Sequence, residues 1–171
     1  MHEVLSAVLH LPRTVPCARA HFNDLFHSNM AIIKKTKKSF RFAIVNARSV
    51  KNKTAEIVDH VIGKKYVICI FTETWLRPID SVAVNELCPA GYVFKNFARP
   101  SDIAGGGTGI MFRDSLDVSL VEGKEHFSFE YSEWNIMVQN RSVKVVAVYR
   151  PSYSENHPVT PNAFLKSLLN F

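Results

Sequence analysis

One segment of the sequence constrains the fold more tightly than any other. Residues 40–45 have the character of a strand, residues 53–63 carry an apolar stripe of helical period, and residues 66–71 form an unbroken apolar run. An unbroken run of this kind is typical of a strand that is covered on both faces. The order strand, helix, strand therefore predicts two parallel neighbours in one sheet, joined by a right-handed crossover.

The remaining sequence predicts a strand-rich α/β domain. Further strands are expected at residues 91–97, 108–113, 116–121, 127–138 and 142–149. A last helix should begin at Thr160-Pro161, because threonine is a good N-cap and proline suits the first turn. For the first helix, Ser49 or Asn52 can cap the start and Gly63 can mark the end.

Composition and charge divide the chain into two parts. The 171 residues are 47% apolar and 11% aromatic, which is enough to build a core. The net charge of +6 lies within residues 1–50, whereas residues 51–171 hold 13 basic and 13 acidic side chains. We therefore predict a weakly ordered basic leader at residues 1–38 and a folded domain at residues 39–171.

The leader contains a basic patch of four lysines, Lys34, Lys35, Lys37 and Lys38. Such a patch can serve nuclear import or contact phosphate, and it can equally be a solvated lead-in to the first strand. No lysine or arginine precedes the apolar run near residue 8, so a secretory signal is not expected. No segment reaches the roughly 18 apolar residues that would suggest a membrane span. We expect an intracellular protein without a membrane partner, and a nuclear location stays open.

The cysteines point to a reducing compartment. Cys17, Cys69 and Cys88 have no CxxC spacing, so neither a zinc finger nor a disulfide framework is indicated. Cys69 stands within an apolar run and is expected to pack as a small hydrophobic residue.

Polar side chains stand where the predicted strands end. Asn46 ends the first strand, Glu73 follows the second, and Tyr149 and Arg150 end the last. Ligands of layered α/β domains gather at such ends. Carboxylate and amide oxygens suit magnesium, while a phenol and a guanidinium suit phosphoryl oxygens. Each residue also has an ordinary structural role open to it, as a turn residue, a surface carboxylate or a half-buried strand aromatic.

Several motifs around these residues occur in a distinctive order. They are NARS at 46–49, TETWL at 72–76, GGGTGI at 105–110, RDSL at 113–116 and VYRP at 148–151. The triple glycine lacks a phosphate-loop pattern and is expected to form a tight turn between strands. Taken together, the motifs resemble the endonuclease domain of LINE-type non-long-terminal-repeat retrotransposons, within the endonuclease/exonuclease/phosphatase superfamily.

This resemblance implies an α/β fold and a set of site residues. The family fold is a four-layer α/β sandwich related to deoxyribonuclease I, with two mixed sheets face to face and helices outside. By the resemblance, Glu73 is the metal-binding carboxylate, Asn46 helps to hold metal and phosphate, Tyr149 contacts the scissile phosphate, and Arg150 binds substrate beside the same cleft. The implied reaction is hydrolysis of a DNA phosphodiester with Mg²⁺ or Mn²⁺, without a small-molecule cofactor.

The sequence departs from the family pattern in two places. It contains neither the G-D-x-N segment, with its water-orienting aspartate, nor the S-D-H segment, with its aspartate-histidine pair. These departures predict the incomplete N-terminal portion of the sandwich, monomeric or prone to aggregate, and inactive alone. The alternative is an inert remnant, or a weak nucleic-acid-binding protein that uses the four lysines of the basic patch.

Overall fold

The computed structural model describes residues 4–8, 32–33, 40–100, 105–138, 141–151 and 158–170. The basic patch, Cys17 and the histidines at positions 2, 10, 21, 27 and 157 lie outside these residues. The predicted leader therefore stays a prediction, although the structure places two short strands within residues 1–38. No helix in the described part of the chain is long and apolar enough to span a bilayer.

The described elements are nine strands and three helices, and five of the strands follow one another after the second helix. The strands are β1 Val4–Val8, β2 Ile32–Ile33, β3 Phe40–Asn46, β4 Ile68–Thr72, β5 Tyr92–Phe97, β6 Thr108–Arg113, β7 Asp117–Glu125, β8 Glu130–Val138 and β9 Arg141–Tyr149. The helices are α1 Thr54–Gly63, α2 Ser81–Glu86 and α3 Pro161–Leu169.

The strands form two mixed sheets. One sheet has the order β2-β3-β4-β6-β5, and the other has the order β1-β9-β8-β7. β3 and β4 are parallel neighbours with Asn46 opposite Thr72, which confirms the unit predicted from strand, helix and strand. β1 is likewise parallel to β9, whereas the other pairs are antiparallel.

The two sheets pack face to face around an apolar layer. Ile70 of β4 and Ile110 of β6 meet Trp134 and Ile136 of β8 there, and all four side chains are almost completely buried. Phe71, the next residue of β4, belongs to a second apolar cluster on the opposite face of its sheet. Both faces of β4 are thus covered, which explains its unbroken apolar sequence.

Helices cover the outer faces of both sheets. Ile57 and Val61 of α1 pack on the sheet that contains β4, with α2 beside them. Phe164 of α3 packs on the other sheet, against Phe129 and Val148. The layers therefore run helix, sheet, sheet, helix, which confirms the predicted partial four-layer α/β sandwich.

The helix termini fit the sequence in part. Thr160 caps α3 as predicted, since its hydroxyl accepts the Ala163 N–H at 3.2 Å. The cap predicted for α1 is wrong: Lys53 occupies the N-cap position, and no side chain caps that end. α2 was not predicted, because its six residues include no buried side chain and give no apolar stripe.

The outer layer formed by α3 can be tested by truncating Phe164, which is 2% exposed. We expect Phe164→Ala to lower the free energy of unfolding by about 3–5 kcal/mol, because it opens a cavity against the sheet. Leu169→Ala in the same helix is the matched control, since Leu169 is 85% exposed and its loss should cost less than about 0.5 kcal/mol. Urea unfolding measures both, and equal effects would show that α3 does not dock on the sheet.

Candidate functional site

A single carboxylate joins the ends of the two sheets. Glu73 follows β4, and its Oε1 accepts a hydrogen bond from the Tyr149 hydroxyl at 2.6 Å. The same oxygen accepts the Asn46 Nδ2–H at 3.0 Å. Asn46 ends β3 in one sheet, and Tyr149 ends β9 in the other. The structure therefore brings together three of the four residues that the sequence singles out.

Arg150, the fourth of these residues, contacts the α3 layer. Its Nη2–H donates to the backbone carbonyl of Val159 at 3.1 Å, and its Cζ lies 5.6 Å from the ring centroid of Phe164. These contacts hold the segment that precedes α3 against the end of β9. The predicted substrate contact of Arg150 stays a prediction.

The loops around Glu73 continue the sheet beyond its strand ends. The Ala47 N–H donates to the Thr72 carbonyl at 2.9 Å, and the Ser49 N–H donates to the Glu73 carbonyl at 2.8 Å. Lys53 supports this loop from α1, because its ammonium donates to the carbonyls of Ala47 at 2.7 Å and Arg48 at 3.0 Å. The backbone of Glu73 is therefore fixed on the side of β3.

The triple glycine fixes the other side of the same loop. The Thr74 N–H donates to the Gly107 carbonyl at 3.1 Å, and the Trp75 N–H donates to the Gly106 carbonyl at 2.9 Å. Gly106 and Gly107 have φ values of 69° and 80°, which side chains rarely adopt. A Cβ on Gly107 would stand 2.7 Å from the Thr74 hydroxyl, so close packing as well as conformation requires glycine there.

Backbone strain is concentrated in these loops. Arg48, Ser49, Glu73 and Trp75 have φ values of 45°, 74°, 55° and 55°, in a region that non-glycine residues seldom occupy. Each such residue costs on the order of 1–3 kcal/mol and persists only where the surroundings fix it. Clusters of this kind are typical of functional sites, because strain is retained where it places a side chain for a task.

A second carboxylate lies buried beneath the glycine loop. Glu130, at the start of β8, is 1% exposed and accepts the Gly107 N–H at 3.0 and 3.1 Å on its two oxygens. Arg99 Nε lies 3.3 Å from Glu130 Oε2 and forms a buried ion pair. Burial raises the pKa of Glu130, while Arg99 and the Gly107 N–H act in the opposite direction. Glu130 therefore anchors the loop that holds the segment carrying Glu73.

The sequence gives only a weak sign of Glu130. It stands between Phe129 and Tyr131 in a run read as a strand, where an isolated glutamate can face either solvent or the interior. Its partners Arg99 and Gly107 lie more than 20 positions away in the chain. Only the packing of β8 against the glycine loop makes this carboxylate a structural anchor.

Two side chains of the site, Tyr149 and Lys53, have shifted pKa values. Burial, and then the Glu73 carboxylate, raise the pKa of Tyr149 well above its ordinary value. Tyr149 is therefore a hydrogen-bond donor at neutral pH. Burial lowers the pKa of Lys53, while the carboxylates of Glu56 and Glu73 act against that change.

The capacity of the site for a cation rests on Glu73. The described residues contain no group of three or more histidine, cysteine, aspartate or glutamate side chains that could hold a metal ion. Both hydrogen bonds described for the Glu73 carboxylate are accepted by Oε1, which leaves Oε2 for a cation. One carboxylate suits a hard ion such as Mg²⁺ only where water and substrate phosphate supply further ligands.

No protein-family model matches the sequence, and no curated protein matches it. Solved structures with a similar fold include those of Nocturnin, TRAS1 and TDP2. The catalytic domain of human Nocturnin is 10% identical, with coverage of 82% of this chain and 61% of that chain and a TM-score of 0.51. The endonuclease domain of TRAS1, a telomere-specific non-LTR retrotransposon, is 17% identical, with coverage of 77% and 52% and a TM-score of 0.49. Truncated TDP2 of Caenorhabditis elegans is 15% identical, with coverage of 66% and 45% and a TM-score of 0.45.

One of these three similarities defines the class of fold. The Nocturnin comparison has a TM-score above 0.5, and this chain spans 61% of that domain. Over the aligned residues the chain has the fold of that catalytic domain, a deoxyribonuclease I-like fold, which is the fold that the sequence resemblance predicts.

The anchoring role of Glu130 predicts a large loss of stability in Glu130→Ala. Removing Glu130 takes the buried carboxylate away from Arg99 and leaves Glu125, 3.3 Å from Arg99 Nε and 24% exposed, as its remaining partner. We therefore expect a loss of about 3 kcal/mol. Glu133→Ala is the matched control on the same strand, because Glu133 pairs with the half-exposed Lys144 and should cost at most about 1 kcal/mol. Urea unfolding of both variants tests this, and similar losses would contradict the anchor.

The hydrogen bond of Tyr149 predicts a dependence of stability on alkaline pH. Folded Tyr149 keeps its proton where the unfolded chain loses it, near the ordinary pKa of about 10. The unfolded state then binds fewer protons, so the free energy of unfolding falls as pH rises, by up to about 1.4 kcal/mol per pH unit for one group. We expect Tyr149→Phe to make this fall shallower, as measured by urea unfolding from about pH 8 to about pH 11. An unchanged slope would contradict the shifted phenol.

Proposed function

We propose that this chain carries part of the cleft of a divalent-metal-dependent DNA endonuclease of the non-LTR retrotransposon type. The observation that carries the proposal is the Glu73 carboxylate, which accepts hydrogen bonds from Asn46 and Tyr149 at the meeting point of the two sheets. The four-layer fold supports the superfamily, and the motifs at residues 46–49, 72–76 and 148–151 support the retrotransposon branch.

Each residue of the site would have a different role in binding a phosphodiester. Glu73 would hold Mg²⁺ or Mn²⁺ through Oε2, while Oε1 stays fixed by its two donors. Asn46 Oδ1 accepts the Arg48 N–H at 3.2 Å and keeps a second lone pair for the cation or its water. Tyr149 keeps its proton at neutral pH and donates it to Glu73 Oε1. To donate to a phosphoryl oxygen, this single O–H would turn away from Glu73, and Oε1 would keep the Asn46 hydrogen bond. Arg150, next to Tyr149, is proposed as a further substrate contact.

A bound divalent ion would polarise the phosphodiester and offset negative charge on the leaving oxygen. The exposed side chain of Arg48, on the loop after β3, adds positive charge beside Asn46. DNA binding at such a rim should weaken as salt rises, because cationic side chains displace counterions from phosphates. We also propose a nuclear location, where an enzyme of this type meets its substrate.

The proposed activity of the 171 residues by themselves is low. The sequence contains no G-D-x-N and no S-D-H segment, so an aspartate-histidine pair of the family type is not available to orient water. The alternative function is weak nucleic-acid binding through the four lysines of the basic patch. That alternative requires no metal and no Glu73.

The proposal can be tested through metal binding as well as hydrolysis. Binding of Mn²⁺ to the full chain can be followed by the loss of the free-ion electron paramagnetic resonance signal. We expect wild-type protein to bind weakly and Glu73→Gln to lose that binding. Supercoiled plasmid with Mg²⁺ provides the activity assay, in which we expect slow nicking at most, and none in Glu73→Gln.

The matched control is Glu56→Gln, which removes an exposed carboxylate from α1. It should bind Mn²⁺ as the wild type does. Equal Mn²⁺ binding by Glu73→Gln and the wild type would overturn the proposed site. DNA binding that disappears when the four lysines of the basic patch are replaced by glutamine, together with no role for Glu73, would favour the basic patch instead.

A further inference from the structure

Trp75 is an exposed aromatic residue two positions after the proposed metal ligand. Its side chain is 44% exposed, while its neighbours Thr74 and Leu76 are 0% and 3% exposed. Leu76 is anchored in the apolar cluster beneath the helices α1 and α2. Residues on both sides of Trp75 therefore point into the protein, and the indole is left at the surface of the site.

The position of the indole is fixed. Trp75 has a φ of 55°, which is unfavourable for a bulky side chain. Its backbone N–H donates to the Gly106 carbonyl at 2.9 Å. Its Nε1 lies 3.5 Å from the place that a Cβ on Gly105 would occupy, so the indole edge stands beside the glycine loop. The strained backbone and the glycine loop therefore fix the position of the indole while leaving the ring exposed to solvent.

The arrangement fits a flat ligand that also carries a phosphate. Glu73 and Trp75 lie on one short segment, and the exposed Arg48 lies on the neighbouring loop, which is hydrogen-bonded to that segment. Bases of unpaired nucleotides stack on exposed aromatic rings whatever their sequence, while cationic side chains bind the adjoining phosphates. A nucleotide carries both a flat base and a phosphate, so it can contact the indole and the charged groups together.

Resting on the proposed function, we propose that Trp75 stacks against an unpaired base of the DNA strand whose phosphate lies at Glu73. The site therefore requires a locally unpaired strand, either single-stranded or opened at the position of cleavage. Stacking supplies affinity without base specificity, because every base has a flat face.

The two tryptophans of the sequence make this contact measurable. Trp134 is 0% exposed, so a change of fluorescence on adding DNA reports on Trp75. We expect a short single-stranded thymidine oligonucleotide, added in EDTA, to quench the emission. An abasic oligomer of equal length should not quench it. We expect Trp75→Leu to weaken binding by roughly fivefold to a hundredfold, measured by anisotropy of a labelled oligonucleotide.

The matched control is Phe40→Leu, because Phe40 is 37% exposed and starts β3, whereas Asn46 ends it. It should bind the oligonucleotide as the wild type does, and circular dichroism should show that both variants are folded. Equal affinity of Trp75→Leu and the wild type, or equal quenching by the abasic oligomer, would overturn the stacking contact. Because the oligonucleotide is added in EDTA, this measurement does not depend on the metal site. Wild-type protein that binds no Mn²⁺ would refute the proposed function while leaving the Trp75 contact standing.

Discussion

The site depends on one oxygen atom that accepts hydrogen bonds from both sheets. Oε1 of Glu73 is the acceptor for Asn46 at the end of β3 and for Tyr149 at the end of β9. These strands belong to different sheets, so the two donors can meet only when the apolar layer around Trp134 brings the sheets face to face. The geometry of the cluster is thus a direct consequence of sandwich packing.

The loop that carries Glu73 is supported from three directions. Backbone hydrogen bonds attach it to the loop after β3, and others attach it to the glycine loop before β6. Glu130 anchors that glycine loop from the other sheet, and it forms a buried ion pair with Arg99, which follows β5. Positive φ values at Glu73 and Trp75 are tolerated because these supports fix the backbone. A rigid loop reduces the ordering cost that a ligand would otherwise meet.

Local sequence patterns predicted most of the elements and part of the site. The strand-helix-strand unit and the Thr160 cap follow from periodicity and capping chemistry, which depend on near neighbours in the chain. α2 was not predicted because its residues give no apolar stripe. The N-cap residue predicted for α1 was wrong because Lys53 occupies that position. Local position identified Asn46, Glu73 and Tyr149 as polar residues at strand ends, but it left an ordinary structural role open for each. Their roles in a site were predicted from the family resemblance of the surrounding motifs.

What the sequence alone determined is the α/β character, the order of the main elements and the polar residues at their ends. Apolar period and turn chemistry act over a few residues and are therefore visible in the chain. Only the tertiary structure decided that Glu73 accepts from two sheets, that Glu130 is a buried anchor and that Trp75 stays exposed. These outcomes depend on contacts between residues more than 20 positions apart, and sheet packing sets such contacts after the local pattern is fixed.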